Sequence, residues 1–330
     1  MHRSSKPIPT FVAFIQKVWS GSSSFRRKLT LAICLGSLVS TISFSQESRF
    51  AIQVLGIAQD AGYPQMDCEK ECCKAVRNGE VEEAYPTSLA LIDREKKSFY
   101  LFEASPAIRE QLQMVKDSFP GYALKGVFIT HAHIGHYLGL AQFGREVMGA
   151  KGVPVYVMPR MKSFLERNGP WSQLIELGNI SLMGLRKDKY LDIDEGLEVS
   201  AALVPHRDEY SETVGFSVQT QKGRFLFLPD IDSWEAWDLQ IKSMAPFYTF
   251  MFLDATFYND EELPGRDMSK IPHPRVSETM NLFADFPFKS RIQFIHFNHT
   301  NPVLRDTPER KLVLDKGFSI SQQGMIIDLK

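Results

Sequence analysis

The loop that follows one apolar run carries three histidines within six residues: His131, His133 and His136. The run, residues 127–130, is typical of a buried strand, so we expect the histidines at its C-terminal end. Side chains two residues apart in extended backbone lie on the same face, so His131 and His133 can bind one ion. A helical pattern begins at His136, which is expected at a neighbouring position. Because imidazole is the commonest metal ligand, the loop predicts a metal site at a sheet edge.

Further candidate ligands also stand where apolar runs end. His206, Asp230 and His296 each follow such a run, and His299 lies just beyond the last one. His273 lies between two prolines in another loop. Taken singly, such residues are commonly caps or solvated loop residues. Loops at one edge of a sheet build functional sites, so the joint arrangement favours a shared site. Whether His296 or His299 is the ligand stays open.

Strand and helix patterns alternate along the chain. Apolar runs with strand character occupy residues 50–57, 88–93, 98–103, 126–130, 153–158, 197–205, 214–220, 224–228, 250–254, 291–296 and 324–329. Helical patterns occupy residues 107–117, 138–148, 161–168, 233–243 and 276–283. No charge-rich or Pro/Gly-rich linker separates them, which indicates one layered α/β domain over residues 47–330.

Composition restricts the class of partner. The chain has 44% hydrophobic and 23% charged residues and a formal net charge of -1. These values are ordinary for a globular protein, and no basic stripe with interleaved aromatic residues is present. We therefore expect a small-molecule substrate and no nucleic-acid partner. The oligomeric state stays open.

The N-terminal segment resembles an export signal. Arg26, Arg27 and Lys28 precede an uncharged, largely apolar stretch, residues 29–44, and a small-x-small pattern follows at Ser43 and Ser45. The stretch is shorter than the roughly 20 residues of a membrane span, so no permanent span is expected. We predict a signal peptide over residues 1–46 and a periplasmic or secreted protein. The alternative is an uncleaved N-terminal anchor, because the region before the apolar stretch is long.

Three cysteines remain after that segment: Cys68, Cys72 and Cys73. An odd number clustered within six residues is a poor disulfide framework, and the neighbouring pair is badly placed to form a bridge. A structural zinc held by the thiolates, with a fourth ligand from elsewhere, is one interpretation. One disulfide from Cys68 plus a leftover thiol is the other.

Taken together, these motifs resemble the metallo-β-lactamase fold, and within it most closely the coenzyme PQQ synthesis protein B branch. The superfamily HxHxDH loop corresponds to His131 through His136. Its later ligands correspond to His206, Asp230 and His296. The branch similarity rests on residues 63–65, the cysteine cluster, and residues 255–261 and 294–302. The resemblance covers about residues 50–304 and implies a single-domain αββα sandwich with a metal site at one edge of the paired sheets.

The resemblance also implies a set of ligands and their roles. One ion would be held by His131, His133 and His206. A second would be held by His136, His296 and a bridging Asp230, so one or two zinc ions are expected. In such sites the metal acidifies a bound water, and the resulting hydroxide attacks the substrate. His273 matches the position of a proton-donating histidine in phosphodiesterase-like members, although its loop could equally be a structural turn.

Two positions depart from the superfamily pattern. Gly135 replaces the aspartate of the loop, so the second site loses an anionic ligand. We hypothesise that Asp60, in the turn after the first strand, supplies the missing carboxylate; the alternative is that Asp60 only caps this turn. Glu103 replaces an early structural aspartate of the superfamily.

These features predict an exported zinc-dependent hydrolase that cleaves an ester, a phosphodiester or an amide through metal-bound hydroxide. One alternative is an oxidative enzyme similar to PQQ synthesis protein B that uses iron, since histidine and carboxylate ligands also suit Fe(II). Another is a non-catalytic binding protein that retains a metal. The complete histidine loop favours metal chemistry, and the export signal argues against an intracellular biosynthetic role.

Overall fold

The chain is described here by a computed structural model that covers residues 47–237 and 240–330. The signal peptide expected over residues 1–46 lies outside these described residues. Among the helices within them, none is long and apolar enough to cross a membrane.

Within the described residues, two sheets of seven strands face each other. The first sheet has the order β14 (Ile326–Asp328), β1 (Phe50–Gly56), β2 (Ser88–Asp93), β3 (Ser98–Phe102), β4 (Ala123–Phe128), β5 (Val153–Val157) and β6 (Ile180–Gly184). The second has the order β13 (Ser319–Ile320), β12 (Ile292–Ile295), β11 (Phe250–Asp254), β10 (Arg224–Leu228), β9 (Val214–Thr220), β8 (Leu197–Leu203) and β7 (Tyr190–Asp194).

Helices cover the outer face of each sheet. The α-helices are α1 (Glu71–Arg77), α2 (Ile108–Ser118), α3 (Ile134–Tyr137), α4 (Pro159–Arg167), α5 (Trp171–Glu176), α6 (Ile241–Met244), α7 (Val276–Leu282) and α8 (Pro308–Asp315). Short 3-10 helices span Leu138–Phe143, Ala245–Phe247, Met268–Lys270, Lys289–Arg291 and Pro302–Leu304. Buried residues of α2, α4 and α5 pack on the first sheet, and those of α6, α7 and α8 pack on the second.

Alternating side chains build three apolar layers. In β1, Ile52 and Val54 face the second sheet, whereas Ala51 and Leu55 face the helices. This two-residue period is the one that a strand buried on both faces requires. The layers confirm the predicted αββα sandwich.

An aromatic cluster fills the space between the sheets. The Phe102 ring stacks on Phe128 at 5.0 Å between centroids. It meets Phe216, Phe225 and Phe227 of the opposite sheet edge-on at 5.8, 5.6 and 6.0 Å. Such geometries are favourable for aromatic rings. Because Phe102 ends β3 and Phe128 ends β4, the cluster fixes the strand ends that lead into the histidine loop.

The strand directions bring several C-terminal ends to one edge. Strands β3 to β6 run parallel to one another, and β1 runs in the same direction because it is antiparallel to β2, which is antiparallel to β3. In the second sheet β10, β11 and β12 are parallel. Strand β8 shares their direction through the antiparallel β9. The loops after these strands are therefore placed to build one site.

Some local expectations from the sequence are wrong. The helix expected over 138–148 is the 3-10 helix Leu138–Phe143, because Gly144 adopts an extended conformation and ends it. Of the helix expected over 233–243, the described residues contain only Ile241–Met244, and Pro246 follows in a 3-10 turn. Strand β7 carried no apolar alternation in the sequence because most of its residues are exposed.

Candidate metal centre

The predicted ligands meet at one edge of the two sheets. The loop after β4 supplies His131, His133 and His136, and the loops after β8, β10, β12 and β1 supply His206, Asp230, His296 and Asp60 respectively. These seven side chains come from five loops that are far apart in sequence, and only the fold brings the loops together.

A first group consists of His131, His133 and His206, whose ligand atoms all lie within 4.8 Å of one another. His131 Nε2 is 2.8 Å from His133 Nδ1. His131 and His206 are buried, whereas His133 is partly exposed and its Nε2 lies 3.3 Å from Glu209. Three imidazoles in this arrangement leave a fourth position for water or substrate, as in catalytic zinc sites.

A second group consists of Asp60, His136 and His296. His136 Nε2 lies 3.2 Å from Asp60 Oδ1 and 3.0 Å from Asp230 Oδ2. His296 Nε2 lies 3.4 Å from the same Asp230 oxygen. The first group also borders this carboxylate, since His131 Nε2 is 4.0 Å and His206 Nε2 is 3.8 Å from its oxygens. Asp230 therefore lies between the two groups.

Gly135 leaves the space that Asp60 occupies. A Cβ atom at position 135 would lie 2.0 Å from Asp60 Oδ1 and 2.6 Å from Asp60 Cα. The turn around Asp60 is closed by the Gly62 N–H, which donates to the Gln59 carbonyl at 2.8 Å. Within the described residues the Asp60 Oδ1 atom is buried and accepts no hydrogen bond. This geometry favours a carboxylate directed at His136 over a cap of the turn.

Hydrogen bonds behind the ligands set the histidine tautomers. The His206 Nδ1–H donates to Asp232 at 2.9 Å. The His296 Nδ1–H donates to Thr256, whose hydroxyl donates to Asp254 at 2.8 Å. Such partners orient a ligating imidazole and leave its Nε2 without a proton.

A similar relay supports the first histidine. The His131 Nδ1–H donates to the Thr130 hydroxyl at 2.8 Å, and this hydroxyl donates to Glu103 at 2.5 Å. Glu103 is fully buried, and its carboxylate also lies 3.3 Å from His136 Nδ1. The residue that replaces the early superfamily aspartate thus contacts two different parts of the histidine loop.

Unpaired polar atoms converge on the centre. Asp60 Oδ1, His206 Nε2, Asp230 Oδ2 and His296 Nε2 are buried and have no hydrogen-bond partner among the described residues. Each such atom costs on the order of 1–3 kcal/mol when it stays unsatisfied. Nitrogen and oxygen atoms in this arrangement match the ligands that zinc and other first-row ions take. The residues present therefore fit a metal.

The electrostatics of the centre also favour a cation. Burial raises the pKa of Asp230, but His296 and His136 outweigh it and hold this pKa well below its ordinary value. Burial lowers the pKa of His136, yet Asp230 and Glu103 hold it well above its ordinary value. Burial keeps the pKa of His131 well below its ordinary value, so this ring is neutral, as ligation requires. Positive charge is thus stabilised beside Asp230.

His273 borders the centre from another loop. Its Nδ1 lies 2.7 Å from Asp254 and 3.7 Å from Asp230, and the backbone φ of 96° is strained for a side-chain-bearing residue. Burial lowers the pKa of His273, but Asp254 outweighs it and raises this pKa above its ordinary value. Its Nε2 makes no hydrogen bond within the described residues, and the ring lines a cavity. The geometry therefore suits proton donation.

The three cysteines form a separate group. The sulfur atoms of Cys68, Cys72 and Cys73 lie within 4.8 Å of one another and are free thiols. Cys72 and Cys73 lie on α1, and the Tyr63 hydroxyl donates to the Cys72 carbonyl at 2.9 Å. The three sulfur atoms lie close enough together to bind one ion, and burial raises the pKa of the Cys73 thiol to about 12.

The choice between His296 and His299 is decided by position: His296 belongs to the second group and His299 to neither group.

Several other residues of the site were not recognised in the sequence. Asp232 forms a hydrogen bond with His206, Asp254 with His273, and Thr256 with His296. Asp254 ends a buried strand, as Asp230 follows one, and this was the available signal.

Comparison with known proteins agrees with the geometry. A family model described as the beta-lactamase superfamily domain matches residues 99–297. The chain belongs to the β-lactamase superfamily. The match starts in β3 and ends directly after His296, so it contains both histidine groups but neither Asp60 nor the cysteines. The match therefore covers His273, Asp230 and the histidines of both groups, whereas Asp60, His299 and the cysteines lie outside it.

Three similar proteins extend this comparison. Coenzyme PQQ synthesis protein B of Klebsiella pneumoniae (strain 342) is 26% identical over 84% of this chain and 98% of its own length. The structure of Zn²⁺-bound PqqB from Methylobacterium extorquens has a TM-score of 0.73 at 21% identity, and the match covers 84% of the present chain and 100% of the PqqB chain. A diphosphatase of the PhnP family has a TM-score of 0.60 at 18% identity, and the match covers 84% of the present chain and 96% of the diphosphatase chain. The last two likenesses support the fold.

Proposed function

We propose that this protein is an exported metal-dependent hydrolase that cleaves an ester, a phosphodiester or an amide. The observation that carries the proposal is the convergence of unpaired, buried histidine nitrogens and carboxylate oxygens on Asp230. Membership of the β-lactamase superfamily supports it, and a diphosphatase of the PhnP family shares this fold.

The ligands divide into two sets in this proposal. One ion would be held by His131, His133 and His206. A second ion would be held by His136, His296, Asp60 and Asp230, and Asp230 lies between the two sets. We take zinc as the metal, in agreement with the nitrogen-rich ligands and with the zinc-bound relative.

A bound ion supplies an acidified water and polarises the bond to be cleaved. The residues of the chain orient the ligating imidazoles and protonate the leaving group. Asp232 and the Thr256–Asp254 pair hold two imidazoles in position, and Asp254 also holds His273. In the reaction, a water oxygen bonds to the phosphorus or carbonyl carbon, and the bond to the leaving group breaks. His273 gives its proton to the leaving oxygen or nitrogen, and the proton lost by the water is released to solvent, from which His273 is protonated again.

An oxidative enzyme that uses iron is the second candidate. The relative from Klebsiella pneumoniae, named coenzyme PQQ synthesis protein B, favours it. The second ligand set also suits this role, since histidine and carboxylate ligands bind non-haem Fe(II). A binding protein that retains a metal without catalysis is the outcome if neither reaction is found.

Metal analysis and one substitution test the proposal. Purified full-length protein should contain zinc in the histidine centre and hydrolyse p-nitrophenyl esters or phosphodiesters. His131→Ala should lose at least about a hundredfold in kcat/KM together with bound zinc. The matched control, Asp285→Asn, changes an exposed residue and should keep both. Iron with oxygen consumption would support the oxidative candidate, and metal without either reaction would support the binding protein.

We further propose a structural zinc at Cys68, Cys72 and Cys73. Three clustered thiols with one buried member support it, because thiolates are the preferred ligands of structural zinc. This ion would be additional to those in the histidine centre.

Export is part of the same proposal and is supported by the sequence of residues 1–46 alone. N-terminal sequencing of the protein from the producing cells should find a chain that begins near Glu47. A chain that still begins at Met1 in the membrane fraction would instead support an uncleaved anchor.

A further inference from the structure

A cavity of about 450 Å³ lies beside His273. Lys70, Arg207, Arg266 and Lys270 line it, and among the described residues no aspartate or glutamate does. Its size falls within the range of small-molecule sites. Four exposed cations and no lining carboxylate give this cavity a positive potential.

Most of these cations have no ionic partner. Lys270 pairs with Asp267 at 3.0 Å. Lys70, Arg207 and Arg266 make no salt bridge with any described residue. The carboxylate that follows Arg207 in the chain, Asp208, is bound instead by Arg160 at 2.9 Å. Three of the four cations that line the cavity therefore have no salt-bridge partner within the described part of the chain.

The cavity adjoins the metal centre. A smaller cavity of about 160 Å³ is lined by Asp60 and shares Gln59, Gln65, Asn298 and His299 with the larger one. His273 lines the larger cavity and lies 3.7 Å from Asp230. A molecule in the larger cavity would therefore place its reactive bond beside the ligands and beside the proposed proton donor.

We propose that the cavity binds an oxyanion of the substrate, a phosphate or a carboxylate, and that the substrate is a small organic anion. Arginine and lysine bind both groups through charge-assisted hydrogen bonds. The inference rests on the proposed hydrolase and narrows its substrate class: neutral esters and amides are poor substrates, and anionic ones are good.

Binding is measured first, because it does not depend on turnover. The affinity of the zinc-loaded full-length protein for inorganic phosphate and for citrate is measured by titration calorimetry. In the triple variant Lys70→Gln, Arg207→Gln, Arg266→Gln, at least one of the two anions should bind about tenfold more weakly. Arg186→Gln, which removes an exposed arginine outside the cavity, is the matched control.

Comparison of the two anions shows whether the cavity binds a phosphate or a carboxylate. Weaker binding of phosphate alone assigns the cavity to phosphate esters, and weaker binding of citrate alone assigns it to carboxylates. Weaker binding of both supports a general oxyanion site. Equal affinities of wild type and triple variant for both anions would overturn the inference.

Turnover provides the second readout. The ratio of kcat/KM for the anionic bis(p-nitrophenyl) phosphate to that for the neutral p-nitrophenyl acetate should fall about tenfold in the triple variant. An unchanged ratio would count against the cavity as the substrate site. If the wild type cleaves neither ester, the proposed hydrolase fails, whereas the calorimetry still decides whether the cavity binds anions.

Discussion

At the scale of the residue, the positions of Asp60 and Gly135 explain why the proposed second ligand set takes a carboxylate from Asp60 in addition to that of Asp230. A side chain at 135 and the present position of Asp60 exclude each other, since a Cβ at 135 would lie 2.0 Å from Asp60 Oδ1. The superfamily loop carries the aspartate at the position of Gly135. Asp60 therefore occupies the space that a side chain at position 135 would need.

An exchange of the two residues tests this relation. Asp60→Gly should remove about one zinc ion per chain, because the second set loses an anionic ligand. Gly135→Asp alone should destabilise the fold by about 1–3 kcal/mol through overpacking. The double variant Asp60→Gly, Gly135→Asp should recover both zinc content and stability. The relation is wrong if the double variant is no better than the sum of the two single ones, measured by metal analysis and urea unfolding.

The role of His273 can be tested with leaving groups of different basicity. His273→Gln should lower kcat for diphenyl phosphate by about a hundredfold, because phenolate needs a proton as it leaves. The loss for bis(p-nitrophenyl) phosphate should be much smaller, since p-nitrophenolate leaves without one. Equal losses for both substrates would indicate that His273 only supports the structure of its loop.

The sequence was sufficient for the residues whose pattern is local. His131, His133 and His136 stand together after an apolar run, and His206, Asp230 and His296 follow other runs. Asp254 stands at a strand end, but its role and that of Thr256 depend on contacts with His273 and His296, which lie about 20 and 40 residues away in sequence. Asp254 and Thr256 therefore obtain their function only through the contacts that folding creates.

At the scale of the element, most buried strands were predictable from the sequence, whereas the mostly exposed edge strands β6 and β7 were not. Strands β2, β9, β10 and β11 coincide with their apolar runs, whereas the mostly exposed β7 has no such run. Exposed edge strands obtain their pairing from a neighbour, so their own sequence carries little signal. Helix α1 was missed for a related reason: only Cys73 of its seven residues is buried.

The proposed cysteine zinc stabilises α1 in particular. Cys72→Ser with Cys73→Ser should remove one zinc ion per chain and lower the thermal midpoint, while the zinc of the histidine centre stays. Intact-mass measurement before and after reduction checks the alternative. A gain of two hydrogen atoms on reduction of the wild type would show a disulfide and contradict the zinc.

The aromatic cluster between the sheets predicts a large effect on stability. Phe102→Ala should lower the free energy of unfolding by about 3–5 kcal/mol, because Phe102 is fully buried and contacts both sheets. The matched control is Phe247→Ala, whose ring is 70% exposed; it should change stability by about 0.5 kcal/mol or less. Urea unfolding of the two variants measures the difference, and similar values would contradict the proposed role of the cluster.

At the scale of the whole molecule, strand direction explains why one edge carries the chemistry. Strands β1, β4, β8, β10, β11 and β12 all present their C-terminal ends there. The sequence predicted the sandwich and its metal edge through the resemblance of the histidine loop to the superfamily. The cationic cavity could not be predicted in this way, because Lys70, Arg207 and Arg266 come from three separate loops.

Hydrolysis of bis(p-nitrophenyl) phosphate before and after metal removal tests the central claim most directly. The full-length protein should hydrolyse the substrate, lose at least about a hundredfold in rate after treatment with a chelator, and recover when zinc is returned. His206→Ala should show no such recovery, because it lacks a ligand of the first set. Absence of hydrolysis in zinc-loaded protein, or a rate that does not change on chelation, would contradict a metal-dependent hydrolase.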